Sequence, residues 1–472
     1  MSDVFEARFS RSVGILFAIV GMWNLIVMIG LMLIGSSEVL SSSMGGLVSV
    51  EWMILLMTVM FVIYGVAGGL SAAIIIGFIQ GILIVIFSFI LLPLVLHDIG
   101  GFEGFRQKIS DPNMLSLVAP NDINVFYVFV LALNALVGIV TQPHVIANCA
   151  AGKTELDGQV GFMGGNLLKR LVTIPWCFTG VAAVVYFAGR HVEPDKIYGT
   201  LAYEFLPKIL PGALGIFIAG IMSAVMNGCS TFMLSSSALF TENIYKPVWP
   251  GKPQKHYIFV GRIAAVIAVV GGVLFALWLH EVSKERGSGV VKGLEIFWMV
   301  SAMMSIAFWL GLFWRRTTVA GAWAATLVAV IVWWLTTQHF CLSWLNNLSA
   351  NESLKFVVTK GTRLDIYLPW QMTFYLVAGT IAGIVVSLIT RPLPAEKLDN
   401  FYALVRTPVV PGEKVTAVCT LPPGTVVPPR RNLIPGKNLE IMVPSLNTML
   451  GFIFGWVCAA VLIWLVYWIA NM

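Results

Sequence analysis

The chain has 472 residues, of which 58% are hydrophobic and 11% charged, and its mean hydropathy is +0.88. A soluble domain carries roughly 25% charged residues, so a soluble enzyme is excluded, and the sequence shows no nucleophile, metal or phosphate-loop constellation. The net charge of +6 comes from Lys and Arg in short clusters between apolar runs, which suits loops facing anionic lipid and offers no nucleic-acid surface.

Windows of about 20 apolar residues mark membrane helices, because lipid leaves the backbone no other way to satisfy its polar groups. They predict an all-α integral membrane protein of eleven transmembrane helices, near residues 13–35, 51–70, 72–96, 124–145, 165–188, 212–240, 257–280, 294–314, 317–337, 369–390 and 447–470. The first run, Val13 to Gly35, is too long for a signal peptide and lacks a small-residue cleavage pattern. The spans up to residue 390 are expected to form one transmembrane core, 1–390. A proline-rich cytoplasmic linker follows at 391–446, holding ten of the 22 prolines, and a last transmembrane helix at 447–472. Placing the N-terminus in the cytoplasm puts 18 of the 29 Lys and Arg on that side, as the positive-inside rule requires of a cell-membrane protein. Six scattered cysteines read as buried thiols and imply neither disulfides nor zinc. The lipid bilayer is the expected partner, and nothing identifies an obligate protein partner.

Function in a membrane protein concentrates at intramembrane polar groups. Acids are scarce in the expected spans: Glu295 lies at one outer end, Glu51 at another's edge, and none sits mid-span. A carboxylate proton relay is therefore disfavoured, and a cation site would have to use hydroxyls, amides and backbone carbonyls. The helix from Gly212 to Thr241 supplies these. Ser223, Asn227 and Thr231 recur every four residues and form one stripe. Hydroxyls in such a helix either bond back to their own backbone or bind a ligand; the Asn amide favours the second.

That helix also carries a resemblance. Gly220-Ile-Met-Ser-Ala-Val-Met226, Ser235-Ser-Ser-Ala238 and Thr241-Glu-Asn-Ile-Tyr-Lys246 are similar to the signature helix of the sodium:solute symporters. Tyr64, Gly68-Gly69-Leu70 and Gln80-Gly81 resemble the family's turn between two early helices. Gln142-Pro143-His144, before Ala150-Ala151, resembles a mid-chain element. Gly311-Leu-Phe-Trp-Arg-Arg-Thr-Thr318 with Gly321-Ala322 resembles a late one, and Glu6, Arg8 and Phe9 match the family's Glu-Arg-Phe start. The resemblance implies two inverted five-helix repeats and alternating access, with sodium and solute bound near the midplane.

By that resemblance, sodium ligation falls on Ala224, Asn227 and Gly228, with Ser230 and Thr231, nearly a turn further on, as substitute hydroxyls, and contacts to a small polar solute, such as a sugar, fall on Asn134, Gln142, Lys169 and Glu295. An aromatic gate position is Val137. Three departures qualify these expectations. The chain starts at the family's third core helix, so the 5+5 repeat is incomplete and the 472-residue chain is expected not to transport alone. The family's adjacent pair of sodium-binding hydroxyls is Asn227-Gly228 here, and its Thr-Asp pair before Gln80 is Ile76-Gly77. Secondary transport of a small polar solute, with sodium coupling in doubt, is the expected function; the alternative is a non-transporting sensor or scaffold, or an inactive fragment, of the same family.

Overall fold

The computed structural model describes residues 2–109, 112–116, 118, 123–150, 152, 154–360, 363–409, 417–434, 436 and 438–471, with backbone only at 66–76, 78, 79, 112, 113, 148, 285, 286, 360 and 363. Its helices are, in order, α1 (Ser2–Arg8), α2 (Arg11–Ser43), α3 (Val50–Ile99), α4 (Gly101–Lys108), α5 (Val125–Gly138), α6 (Pro143–Ala150), α7 (Glu155–Tyr186), α8 (Ile197–Ile209) and α9 (Ala213–Phe240). There follow α10 (Lys246–Val248), α11 (Gln254–Arg286), α12 (Gly289–Phe313), α13 (Val319–Leu335), α14 (His339–Asn346), α15 (Asn351–Leu354), α16 (Leu368–Ile389), α17 (Ala395–Arg406) and α18 (Leu446–Asn471). One hairpin, β1 (Val357–Lys360) and β2 (Arg363–Ile366), pairs antiparallel with Val357 opposite Ile366.

Among the described residues, eight helices are long and apolar enough to cross a membrane, and a bent pair, Val319–Leu335 with His339–Asn346, makes up to nine. Of the expected spans, those at 51–70 and 72–96 both fall on α3, and that at 124–145 falls on the shorter apolar stretch Val125–Thr141. The turn expected near Gly68-Gly69-Leu70 is not formed, because α3 runs unbroken from Val50 to Ile99. A glycine pair within a helix costs about 1 kcal/mol of propensity per residue, and α3 runs through it; the helix ends instead at Gly100, which takes the left-handed conformation. The side chains of Leu70 and Ile76, and all of Ala151, lie outside the described residues. All six cysteines are free; Cys229 is buried as expected, but Cys177 is exposed on α7.

The chain divides into two compact units. The first comprises Met1–Gly21, Val118–Gln159 and Trp298–Leu446. In it α13 and α16 run antiparallel at very close range. A Cβ at Gly379 would stand 2.8 Å from the Ala325 carbonyl oxygen, and one at Gly383 3.0 Å from the Ala325 Cβ. Small residues let membrane helices approach this closely, and van der Waals packing then supplies the attraction.

At the end of α12, Arg8 is buried and donates through Nε to the Gly311 carbonyl at 2.7 Å and through Nη2 to that of Trp314 at 3.0 Å. A guanidinium there satisfies carbonyls that the helix cannot and complements its dipole. The segment from 391 to 446, part of which (410–416, 435 and 437) lies outside the described residues, is ordered against the same region. Pro394 caps α17, which buries Leu398, Phe401 and Tyr402 beside Val4 and Ala7 of α1. Arg315 pairs with Asp399 and, at 2.7 Å, with the buried Glu440, while Arg316 donates to the Thr390 carbonyl at 2.9 Å.

The second unit comprises Met22–Leu117, Val160–Phe297 and Asn447–Met472. Here α2 and α11 cross at glycines: a Cβ at Gly30 would lie 2.7 Å from the Gly272 carbonyl oxygen. Helix α3 runs antiparallel along α9. Gly65 faces Ser230 and Met233, Gly77 faces Asn227, and Phe87 stacks edge-on against Phe217 at 5.5 Å. Leu25, Ile29, Leu33, Met53, Met57, Phe61, Val225 and Cys229 fill the core shared by α2, α3 and α9.

Candidate functional site

The serine-rich helix forms where the sequence placed it. Gly212, at φ +94°, turns the chain into α9, which runs to Phe240 and passes into one π-helical turn, Thr241–Tyr245. Of the stripe expected at Ser223, Asn227 and Thr231, the first two face α3, and Gln80 meets them there. Gln80 is buried and donates to the Ser223 hydroxyl; its own Oε1 accepts from Asn227 Nδ2 at 3.3 Å. Three neutral polar side chains thus satisfy one another between two apolar helices, which lipid could not do for them.

The two departures from the family pattern face each other across this interface. A Cβ at Gly77 would stand 2.8 Å from Asn227 Nδ2, so the amide occupies the room that any side chain at 77 would need. One residue along, a Cβ at Gly228 would stand 2.5 Å from Met32 Cε and 2.8 Å from its sulfur. A thioether from α2 therefore fills the room that a side chain at 228 would need. Ser230 and Thr231 both bond back to the Asn227 carbonyl, at 3.0 and 2.9 Å, which is the local competition hydroxyls offer inside helices. Ala224 lies within regular helix. Of the five residues expected to hold sodium, one contributes an amide already bonded, one has no side chain, and two hydroxyls are directed at their own backbone.

The residues expected at the solute fall in both units. In the first, Asn134 is buried: its Oδ1 accepts from the Tyr375 hydroxyl and its Nδ2 donates to the Trp298 carbonyl at 3.3 Å. Gln142 closes the 3-10 turn Ile139–Thr141 and starts α6, its carbonyl accepting from Val145 and Ile146. Val137 offers only its carbonyl, to Trp309 Nε1 at 3.1 Å. In the second unit, Lys169 is exposed on α7, and Glu295 accepts from Lys292 at 2.9 Å. Neither Asn134 with Gln142 nor Lys169 with Glu295 shares a hydrogen bond or ion pair among the described residues.

A buried carboxylate in the first long helix escaped the sequence reading. Helix α2 does not stop near residue 35 but continues to Ser43 and carries Glu38, which is 1% exposed. The scarcity of acids within the spans is therefore not complete. His280 of α11 meets Glu38 at 2.9 Å.

Comparison with known proteins matches residues 1–329 to the model of the sodium:solute symporter family. The chain is 26% identical over 314 residues to the sodium/pantothenate symporter of Haemophilus influenzae, covering 65% of this chain and 62% of that one. It is 25% identical over 287 residues to the sodium/glucose cotransporter of Vibrio parahaemolyticus, covering 55% and 52%. It is also 25% identical over 407 residues to the osmoregulated proline transporter of Bacillus subtilis, covering 82% and 74%. The first two matches thus span less than two thirds of those relatives' lengths. Among solved structures, the fold is shared with a Na+-coupled sialic acid symporter in a substrate-bound outward-open state. Its TM-score is 0.60 at 17% identity, over 83% of this chain and 77% of that one. With the helices, the ordered motifs and a family model that covers most of its length, the chain is a multi-pass membrane member of the sodium:solute symporter family.

Proposed function

We propose that the protein carries a small polar solute across the cell membrane by alternating access, without a side-chain sodium site between α3 and α9. The family and its solute-carrying relatives support transport, and the named solutes of those relatives (pantothenate, glucose and proline) support a small polar cargo. The observation that carries the reading is the filled pair of positions. Asn227 Nδ2 stands over Gly77, and Met32 stands over Gly228. An amide N–H₂ directs protons, not lone pairs, into the interface, and a cation needs oxygen ligands. The bilayer is the protein's medium, and the Lys and Arg distribution supports a cytoplasmic N-terminus.

The sugar contact expected at Asn134 is weakened, because both ends of its amide are already bonded in this state. Solute class is therefore set no more finely than small and polar.

The same filled positions favour one other reading, a non-transporting sensor or scaffold. Uptake of radiolabelled sugars, amino acids and pantothenate by cells expressing the protein separates the two. Uptake above the empty-vector control, equal in sodium and in choline medium, is the result this proposal expects, and it overturns the expectation from the incomplete repeat that the chain does not transport alone. Strictly sodium-dependent uptake contradicts the absence of the sodium site, and no uptake of any solute class supports the second reading.

A further inference from the structure

The buried carboxylate of Glu38 lies at a crossing of three helices. Helices α2 and α11 run parallel from their contact at Gly30 and Gly272, and eight residues further along both they bring Glu38 against His280. At about 1.5 Å per residue, that is about 12 Å from the glycine crossing. His280 Nδ1 lies 2.9 Å from Glu38 Oε1, and His280 Nε2 lies 3.2 Å from Glu51 Oε1 at the start of α3. Burial falls along the row: the side chains of Glu38, His280 and Glu51 are 1%, 9% and 46% exposed. A solvent-facing carboxylate is thus connected through an imidazole to a buried one.

Every other charged group at the row is placed. Lys196 Nζ stands 4.0 Å from Glu38 Oε2 but pairs more closely with Glu193, at 2.8 Å. Lys284 Nζ stands 3.9 Å from Glu51 and pairs at 2.8 Å with Glu281. Asp195, beside Lys196 in sequence, is held at the N-terminus of α12 by Ser288 Oγ at 2.6 Å and the Gly289 amide at 3.1 Å. Gly199 lets this end of α8 reach α2, since a Cβ there would stand 2.2 Å from the Val39 carbonyl oxygen.

A neutral imidazole has one N–H donor and one lone pair. Facing two ionised carboxylates, it donates to one, Glu38 at 2.9 Å, and its lone pair then stands 3.2 Å from the Glu51 oxygen. One more proton, on the imidazole or on a carboxyl, turns that close contact of two lone pairs into an attractive one. We infer that Glu38, His280 and Glu51 form a proton-binding site that fastens α2, α3 and α11 together, its ligand the proton itself. With the proton bound, the imidazole joins both carboxylates; as pH rises and it leaves, the ring keeps its bond to Glu38 and turns a lone pair to the Glu51 carboxylate, so the fastening is weakened. Stability supplied by the site is therefore present at low pH and disappears as pH rises.

The test uses the purified full chain in lipid nanodiscs. Melting temperature is measured from about pH 6 to about pH 9, the range in which a histidine-centred site loses its proton. The wild type is expected to melt progressively lower as pH rises. Glu38→Gln is expected to fold and to show a flat profile, because a Gln amide can donate to Nδ1 while Nε2–H donates to Glu51, and no extra proton is needed. Superimposable profiles would overturn the inference. Should the variant fail to fold, solid-state NMR of wild type labelled at His and Glu decides. An imidazolium at His280 or a protonated carboxyl at Glu38 or Glu51 at neutral pH supports the site; a neutral imidazole beside two ionised carboxylates contradicts it.

Discussion

Asn227 Nδ2 lies 3.3 Å from Gln80 Oε1 and 2.8 Å from the point a Cβ at Gly77 would occupy, so one amide both bonds across α3 and α9 and fills the space at 77. Gly77 and Asn227 therefore pack as one local unit. With glycine at 77 there is room for the amide, and a larger residue at 77 has to displace it.

Removing the amide tests its structural share. Asn227→Ala leaves the Gln80 carbonyl without its donor in a part-buried interface, and a stranded group of that kind costs about 1–3 kcal/mol. Gly77→Ala is expected to be close to neutral. Its methyl displaces only the far end of the Asn227 side chain, which loses about 1 kcal/mol of hydrogen bond, while Ala gains about 1 kcal/mol of helix propensity over Gly. Chemical denaturation of both variants in detergent checks the contrast.

Met32 and Gly228 should behave as a coupled pair. Gly228→Ser places an atom 2.5 Å from Met32 Cε and, as overpacking, is expected to cost about 1–3 kcal/mol. Met32→Ala in the same chain removes the obstacle. A double-mutant cycle should then show Gly228→Ser costing clearly less in the Met32→Ala background than in the wild type.

At the α2–α11 crossing the obstacle is backbone. Gly30→Ala would bring a methyl to 2.7 Å from the Gly272 carbonyl oxygen, and no rotamer relieves that. A loss of about 1–3 kcal/mol is expected. Because the same crossing aligns Glu38 with His280, the variant should also weaken the pH dependence of melting.

Arg8 is expected to tolerate no conservative exchange. Its fork reaches the Gly311 and Trp314 carbonyls and lies 4.7 Å over the Phe9 ring. Lysine cannot reproduce a planar fork, and one charged hydrogen bond in such a place is worth about 1.5–3 kcal/mol. Arg8→Lys should therefore lower the melting temperature measurably, and Arg8→Ala more.

Much of this was legible in the residues. Apolar windows located most of the long helices, while the proline-rich stretch read as a linker, in which α17 between Pro394 and Pro408 was not anticipated. The Glu-Arg-Phe start and the Gly-Leu-Phe-Trp-Arg-Arg stretch stand far apart in sequence but meet in the structure through Arg8. The end of α2 was not legible. Ser36, Ser37, Glu38 and Ser41 to Ser43 read as the polar end of a span, yet the helix absorbs them because Ser36, Ser42 and Ser43 donate to the carbonyls of Met32, Glu38 and Val39. Sequence reading weighs those hydroxyls as solvent-seeking; the helix uses them as internal donors. Nor could spacing reveal that Gly77 and Gly228 are occupied by residues from elsewhere in the chain, since a glycine carries no sign of what fills its space.

The central claim is that α3 and α9 close over the place where side chains would otherwise hold sodium. Its most direct measurement is the melting temperature of the purified protein in sodium chloride and in potassium chloride at equal ionic strength. Any ligand that binds only the folded state raises it, by an amount that grows with the logarithm of ligand concentration above its Kd. Equal melting temperatures in the two salts are expected, with Gly77→Asp/Asn227→Ser gaining a sodium-specific rise. A sodium-specific rise in the wild type that Asn227→Ala abolishes would contradict the account.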